Sequence, residues 1–252
     1  MDWEREAGRL AAGSLAEGSP TAWFDRLYRG AVAGAVSMPW DRDAPSPPLA
    51  AWAPERVRAG DRAAVVGCGL GADAEFLARL GADVLAFDVS PTAVGLAAAR
   101  HPGTRVTYRQ GDLFALPAEW VGAFDLVVDV FTVQALPEGV RPEATAAVAA
   151  LVAPGGTLLV VTVLREGPMD RADGPPWPLT RAQLDAFASD GLRPDPAARV
   201  DGARELWRAE FHRPSHDRRR RSRATWNAGS EGGDRRTALS RPRRRAGGAP
   251  PR

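Results

Sequence analysis

Lysine and isoleucine are absent from this 252-residue sequence, and asparagine occurs once, at Asn227. With a single cysteine, Cys68, an intrachain disulfide is excluded. Three scattered histidines give no basis for a cysteine/histidine zinc site. No run approaches the roughly 18 consecutive apolar residues of a membrane helix. Residues 1–19 are charged and alanine-rich and lack the apolar centre of a signal peptide, so the expected compartment is the cytoplasm. What abounds instead is Ala, Gly, Pro and Arg, the mark of a GC-rich genome, so part of the arginine content reflects codon supply. Hydrophobic residues at 44% and charged residues at 25% are ordinary for a globular chain long enough to bury a sizeable core.

The net charge of +2 conceals an asymmetry. Residues 213–252 hold 13 arginines and three acids, so this stretch is +10 and the remainder is −8. Trp226 and Leu239 are its only large apolar side chains, too few to offset the entropy of ordering it. The segment is therefore expected to be a disordered tail. Its arginine runs would suit phosphates, a solvated solubility tail, or an out-of-frame extension of a GC-rich gene. No helix-turn-helix, zinc knuckle or aromatic RNA-binding pattern accompanies them, so a nucleic-acid partner is not favoured. The expected layout is a flexible N-terminus over 1–19, one domain over 20–212 and the tail over 213–252.

From Asp61 the chain alternates short apolar runs with helical segments. Strands are expected at Arg62–Val66, at Val84–Phe87 ending in Asp88, at Arg105–Arg109, at Phe124–Val130 and at Thr157–Val163. A last strand at Arg204–His212 is expected to pair with one near Ala197–Val200. Ser90-Pro91 gives an N-cap and a first-turn proline for a helix reaching Arg100. Pro142 opens another helix, and Thr180-Arg181-Ala182-Gln183 has the capping-box pattern. The Pro-rich stretch Pro39–Pro54 looks like a loop. Alternating strands and helices imply a doubly wound α/β domain with a mostly parallel seven-stranded sheet and an antiparallel C-terminal strand.

The first strand runs into Gly67-Cys68-Gly69-Leu70-Gly71, a turn that lets backbone approach a ligand beside a helix N-terminus. Asp88 ends the next strand 21 positions after Gly67, where a carboxylate can accept from both hydroxyls of a ribose. Gly67-x-Gly69-x-x-Ala72 also fits a dinucleotide fingerprint, which leaves a nicotinamide enzyme as an alternative. Gly111-Asp112-Leu113 places a carboxylate where an adenine amino group could donate. The runs Phe124–Asp129 and Leu151–Leu158 complete four motifs in order. Across residues 20–212 this pattern resembles the class I S-adenosylmethionine-dependent methyltransferases.

Within that class the chain looks most like the thiopurine/thiol/halide methyltransferase family. The resemblance rests on Trp23-Phe24-Asp25-Arg26, on Met38-Pro39-Trp40-Asp41 before a proline-rich loop, and on the turn from Gly67 to Asp73 with cysteine in second place. It implies S-adenosyl-L-methionine as cofactor, contacted by Trp23, Trp40, Gly67, Cys68, Gly69, Gly71 and Asp73. Further contacts are expected from Asp88 with Val89, Asp112 with Leu113, and Asp129 with Val130. Packing of Trp23 and Trp40 against the sheet is the competing explanation for those two. One departure matters: thiopurine-type members carry an arginine after the fourth-strand aspartate, whereas Val130 stands here, which argues against a thiopurine-like grip.

The resemblance implies in-line transfer of a methyl group to a small-molecule acceptor, with alignment mattering more than acid/base chemistry. A thiol or other soft nucleophile needs little help from a base, and no base is evident. Methylation of oxygen or nitrogen on a natural product or nucleobase is the alternative. No metal is implied, no membrane partner is expected, and a monomer is the default. His101 is expected to be structural, in a loop at the sheet edge away from the ligand. Cys68 reads as a small turn residue, and Phe131, Gln134 and Trp177 are candidates for the acceptor pocket.

Overall fold

The computed structural model describes residues 3–38, 40–168, 174–175, 177–200 and 205–215. The tail expected over 213–252 lies outside them from residue 216 onward. The central sheet carries β1 (Arg62–Val66), β2 (Asp83–Asp88), β3 (Thr107–Gln110), β4 (Phe124–Val130), β5 (Val152–Thr162), β6 (Arg193–Pro194), β7 (Ala198–Val200) and β8 (Leu206–His212). The strand order is β3-β2-β1-β4-β5-β8-β6, and β7 also pairs with β8. Strands β1 to β5 are parallel, and β8 runs antiparallel to β5.

Strands β1 and β4 fall on the residues expected, because each is an apolar run bounded by turn-forming residues. Their side chains alternate between the two faces of the sheet. Ala64, Val66, Val127, Leu158 and Val160 pack on one side with Val148 of α6 (Arg141–Ala150) and Leu184 of α7 (Arg181–Asp185). Ala63, Val65, Leu126, Val128 and Leu159 pack on the other with Leu77 of α4 (Ala72–Arg79) and Trp52 of α3 (Pro47–Trp52). Burial on both faces is the condition of a parallel sheet in an α/β protein. The N-cap of α5 (Pro91–Arg100) is Ser90, whose Oγ accepts from Ala93 N at 3.0 Å, and Thr180 and Gln183 form the capping box of α7.

Three expectations are corrected. The N-terminus is not flexible throughout: Trp3–Ala16 form helix α1, and its Ala7, Leu10 and Ala11 are buried with Trp23 and Leu27 of α2 (Ala22–Val32). The Pro-rich stretch is not wholly a loop, since it contains α3, with prolines in the first turn where a missing N–H costs nothing. The sheet has eight strands instead of seven. Its last edge is one strand broken in two: Arg193 pairs with His212 and Ala198 with Arg208, so the register slips by one residue around Pro196, a β-bulge. Among the described residues no helix is long and apolar enough to cross a membrane.

The entry to β5 is tight. Phe124 pairs with Val152 and Leu126 with Thr157, so Ala153–Gly156 loop out between the two pairings. A Cβ on Gly156 would stand 2.8 Å from Phe124 O and 2.9 Å from Ala153 O. These are backbone atoms that cannot swing aside. Gly156→Ala is therefore expected to destabilise the domain by about 1–3 kcal/mol. Urea unfolding would show the midpoint shifted down, and an unchanged midpoint would mean that the β4–β5 junction yields.

Candidate cofactor and acceptor site

A cavity of about 1450 Å³ opens along the carboxyl edge of the sheet. That exceeds the roughly 300–1,000 Å³ of an ordinary ligand pocket and leaves room for two molecules side by side. Asp88 and Val89 line it after β2, Gly111–Phe114 after β3, the glycine turn after β1, Val130–Thr132 after β4 and Val163 after β5. The N-terminal helices supply Trp3, Trp23, Phe24 and Tyr28, and the Pro-rich segment supplies Trp40, Arg42 and Ser46.

The glycine turn owes its sequence to crowding. Gly67 and Gly69 have φ of +57° and +54°, in the left-handed region where only glycine is unstrained. A Cβ on Gly67 would stand 2.6 Å from Cγ2 and Oγ1 of Thr132, and one on Gly69 would stand 3.1 Å from the Tyr28 hydroxyl. Gly71 turns away from the cavity and faces the Tyr108 ring. Cys68 backs the turn from the buried side, where burial and then the nearby Asp88 push its thiol well up. It is protonated and unreactive.

Asp88 is buried at the end of β2. Its Oδ2 accepts from Gly69 N at 3.1 Å and its Oδ1 from Ser90 N at 2.9 Å, which uses one lone-pair position on each oxygen and leaves the others. Burial pushes its pKa up to about 6, against the lowering effect of the backbone N–H groups of Ser90, Gly69 and Val89. Asp73, in the first turn of α4, accepts from Ser46 N at 2.6 Å and lies 3.6 Å from Arg42, so it fastens the Pro-rich segment to the glycine turn. Asp112 accepts from Phe114 N at 2.9 Å and caps the short turn Leu113–Ala115. Trp23 is 1% exposed, stacked on Phe24 with ring centroids 3.9 Å apart, and its Nε1 has no hydrogen-bond partner among the described residues.

Of the residues expected at the cofactor, all but Gly71 and Asp129 line this cavity. Asp129 points inward: its Oδ1 accepts from Thr132 N at 2.9 Å and its Oδ2 is buried with no partner among the described residues. Thr132 in turn donates from Oγ1 to Val66 O at 2.8 Å, which ties the end of β4 to the end of β1. Phe131 and Gln134 line the cavity, whereas Trp177 does not. Phe131 has φ of +62°, a strained conformation for an aromatic residue and one that clusters at functional sites. His101 is not at the far edge as expected, since its Nε2 lies 3.2 Å from Leu70 O and supports the glycine turn from behind. Sequence reasoning missed Tyr28. The helical spacing of Trp23, Leu27 and Tyr28 was the available signal.

Burial also pushes Asp129 up to about 6, above the ordinary carboxylate value near 3.9. Between those values the folded state holds the extra proton, so this group's contribution to stability falls as pH rises from about 4 to about 6 and stays low above that. Asp129→Asn removes the charge and keeps the acceptor for Thr132 N. Its stability relative to wild type is expected to rise through that window and level off above pH 6, by at most about 3 kcal/mol. Urea unfolding at pH 4, 5, 6 and 8 checks this. A difference independent of pH would show that Asp129 is not the group responsible.

Known proteins place this geometry. Residues 34–215 match the family model described as Thiopurine S-methyltransferase. Among curated proteins the chain is 38% identical over 137 residues to a ubiquinone biosynthesis O-methyltransferase of Xanthomonas axonopodis pv. citri (strain 306), covering 50% of this chain and 56% of that protein. The counterpart from Xanthomonas campestris pv. campestris (strain B100) is 36% identical over 136 residues with the same coverage, so the chain spans little more than half the length of these relatives. Among solved structures, one titled for the conversion of a disulfide bond into a thioacetal group during echinomycin biosynthesis superposes with a TM-score of 0.62 at 25% identity, covering 79% of this chain and 93% of that one. The N-methyltransferase NodS of Bradyrhizobium japonicum WM9, in complex with S-adenosyl-L-homocysteine, gives a TM-score of 0.57 at 19% identity, covering 75% of this chain and 98% of that one, and shares the fold. With the family model covering most of the domain and the sheet following the class I methyltransferase order, this chain belongs to the thiopurine S-methyltransferase family of S-adenosylmethionine-dependent methyltransferases.

Proposed function

We propose that this chain transfers the methyl group of S-adenosylmethionine to a small molecule, and that the acceptor atom is a thiol sulfur or another soft nucleophile. The observation that carries the acceptor reading is the chemistry of the cavity wall. Among the described residues, the wall contains no histidine, glutamate or lysine, and each of Asp73, Asp88 and Asp112 already holds a backbone N–H. A phenol or alcohol needs a base or a metal at neutral pH, whereas a thiol with a pKa of about 8–9 supplies its own thiolate. Against this stand the O-methyltransferase names of the curated relatives, which favour an oxygen acceptor.

The residues present fit the cofactor. The two left-handed glycines, Gly67 and Gly69, bring bare backbone to the cavity wall. The free lone pairs of Asp88 suit a ribose diol, and the buried Nε1 of Trp23 is a donor in want of an acceptor. Asp88 and Val89 would hold the ribose, and Asp112 and Leu113 the adenine. Gly67, Cys68, Gly69, Asp73 and Val130 would lie along the methionine end, under Trp23 and Trp40. When bound, the cofactor supplies an electrophilic methyl group on a sulfonium. The protein excludes water with its aromatic wall and aligns the nucleophile behind that methyl.

Ribose hydroxyls bind the ionised form of Asp88, so S-adenosylhomocysteine affinity should fall about tenfold per pH unit below pH 6 and stay flat above it. Asp88→Ala should weaken binding at least tenfold at pH 8. Calorimetric titration checks both, and undiminished binding by the variant would remove Asp88 from the site. With Asp88 and Asp112 given to the cofactor and Asp73 fastening the Pro-rich segment, the described wall leaves no free base, so the pH dependence of kcat/KM should track the pKa of whichever thiol is offered. Turnover of phenols in preference to thiols would overturn the sulfur reading while leaving the cofactor reading intact.

A further inference from the structure

The cavity runs along the sheet edge from β3 through β2, β1 and β4 to β5, and the polar groups assigned to the cofactor end at β4. Beyond them, where the chain leaves β4, the described cavity wall includes the polar side chain of Gln134. It is 3% exposed and lines the cavity where β4 and β5 finish. Its Oε1 accepts from Val163 N at 2.9 Å and from Thr162 Oγ1 at 2.6 Å. A backbone N–H can only donate, so the atom facing Val163 must be the oxygen and the amide orientation is fixed. That leaves Nε2, with two hydrogens and no hydrogen-bond partner among the described residues.

The group is held rigidly. The Gln134 carbonyl accepts from Arg141 Nη2 at 3.1 Å and from Trp177 N at 3.0 Å, and Arg141 also donates to Leu136 O and Trp177 O. An amide donor with a fixed orientation on the cavity wall selects for what it meets. An acceptor molecule that offers no hydrogen-bond-accepting atom there leaves it unsatisfied, and that cost discriminates more sharply than apolar fit.

We infer that Gln134 Nε2 is a specificity-determining donor at the acceptor end of the cavity. The inferred acceptor class carries a carbonyl-type oxygen beside its nucleophilic atom. The inference rests on reading this cavity as a methyl-transfer site, and it adds which acceptors are chosen.

The test uses the full chain saturated with S-adenosylhomocysteine and reads acceptor binding by calorimetry at pH 8. Methyl thiosalicylate, with an ester carbonyl beside sulfur, is compared with 2-isopropylthiophenol, and methyl salicylate with 2-isopropylphenol. The wild type is expected to prefer the ester of a pair by about five- to tenfold, the worth of one hydrogen bond. Gln134→Leu should bring that preference within twofold while S-adenosylhomocysteine affinity holds. Gln134→Glu keeps an acceptor for Val163 N and Thr162 Oγ1 but loses the amide donor. It should behave like Gln134→Leu and guards against loss of folding. A preference that survives in both variants overturns the inference. A Gln134-dependent preference seen only in the phenol pair upholds it and overturns the sulfur reading. No binding of any of the four compounds to the loaded chain overturns the inference and the sulfur reading together.

Discussion

One buried carboxylate sets the positions of the elements around the cavity. Asp88 draws the N–H of Gly69 to one oxygen and the N–H of Ser90 to the other, and so locks the glycine turn to the start of α5. Ser90 passes the constraint on. Its hydroxyl caps α5 and also donates to Asp25 of α2 at 2.8 Å, and Thr92 N donates to the same carboxylate oxygen at 3.1 Å. The helix that carries Trp23, Phe24 and Tyr28 is thereby fixed relative to the turn it covers. An acidic side chain at a helix N-terminus is favourable in its own right, and here it fastens a wall to a floor.

The opposite end of the cavity is fixed by a cation. Arg141 is 2% exposed, and its hydrogen bonds go to the carbonyls of Leu136, Gln134 and Trp177 and to the Gln183 amide. Burial lowers its pKa to about 10, so it stays charged at neutral pH. Spreading the charge over fixed dipoles gathers the segment after β4, the start of α7 and the segment around Trp177 onto one side chain. The two ends differ in kind, since an anion gathers N–H groups where the cofactor is proposed to sit and a cation gathers C=O groups beside the proposed acceptor.

The sequence made much of this legible because strong local signals coincide with the fold. Apolar runs bounded by glycine and aspartate give β1 and β4 to the residue, and Ser90 and Thr180 mark their helices by capping chemistry. The misses have equally physical causes. Helix α1 buries mainly alanines, with Leu10 the largest of them, and so small a stripe carries little periodic signal. Asp129 sits in a strand whose neighbours are apolar on both faces, so no alternation reveals that its carboxylate turns inward. Gln134 is an ordinary polar residue until the end of β5 is brought beside it, 29 positions away in the chain.

The broken edge strand has a consequence for assembly. An exposed strand offers unpaired N–H and C=O groups to any other strand that meets it. Here that edge carries Pro194 and Pro196, neither with an N–H to offer, and a one-residue slip between β6 and β7 bends it out of line. The other edge, β3, is only four residues long. Among the described residues, both edges of the sheet are thus short or broken, which leaves little continuous backbone on which another strand could pair.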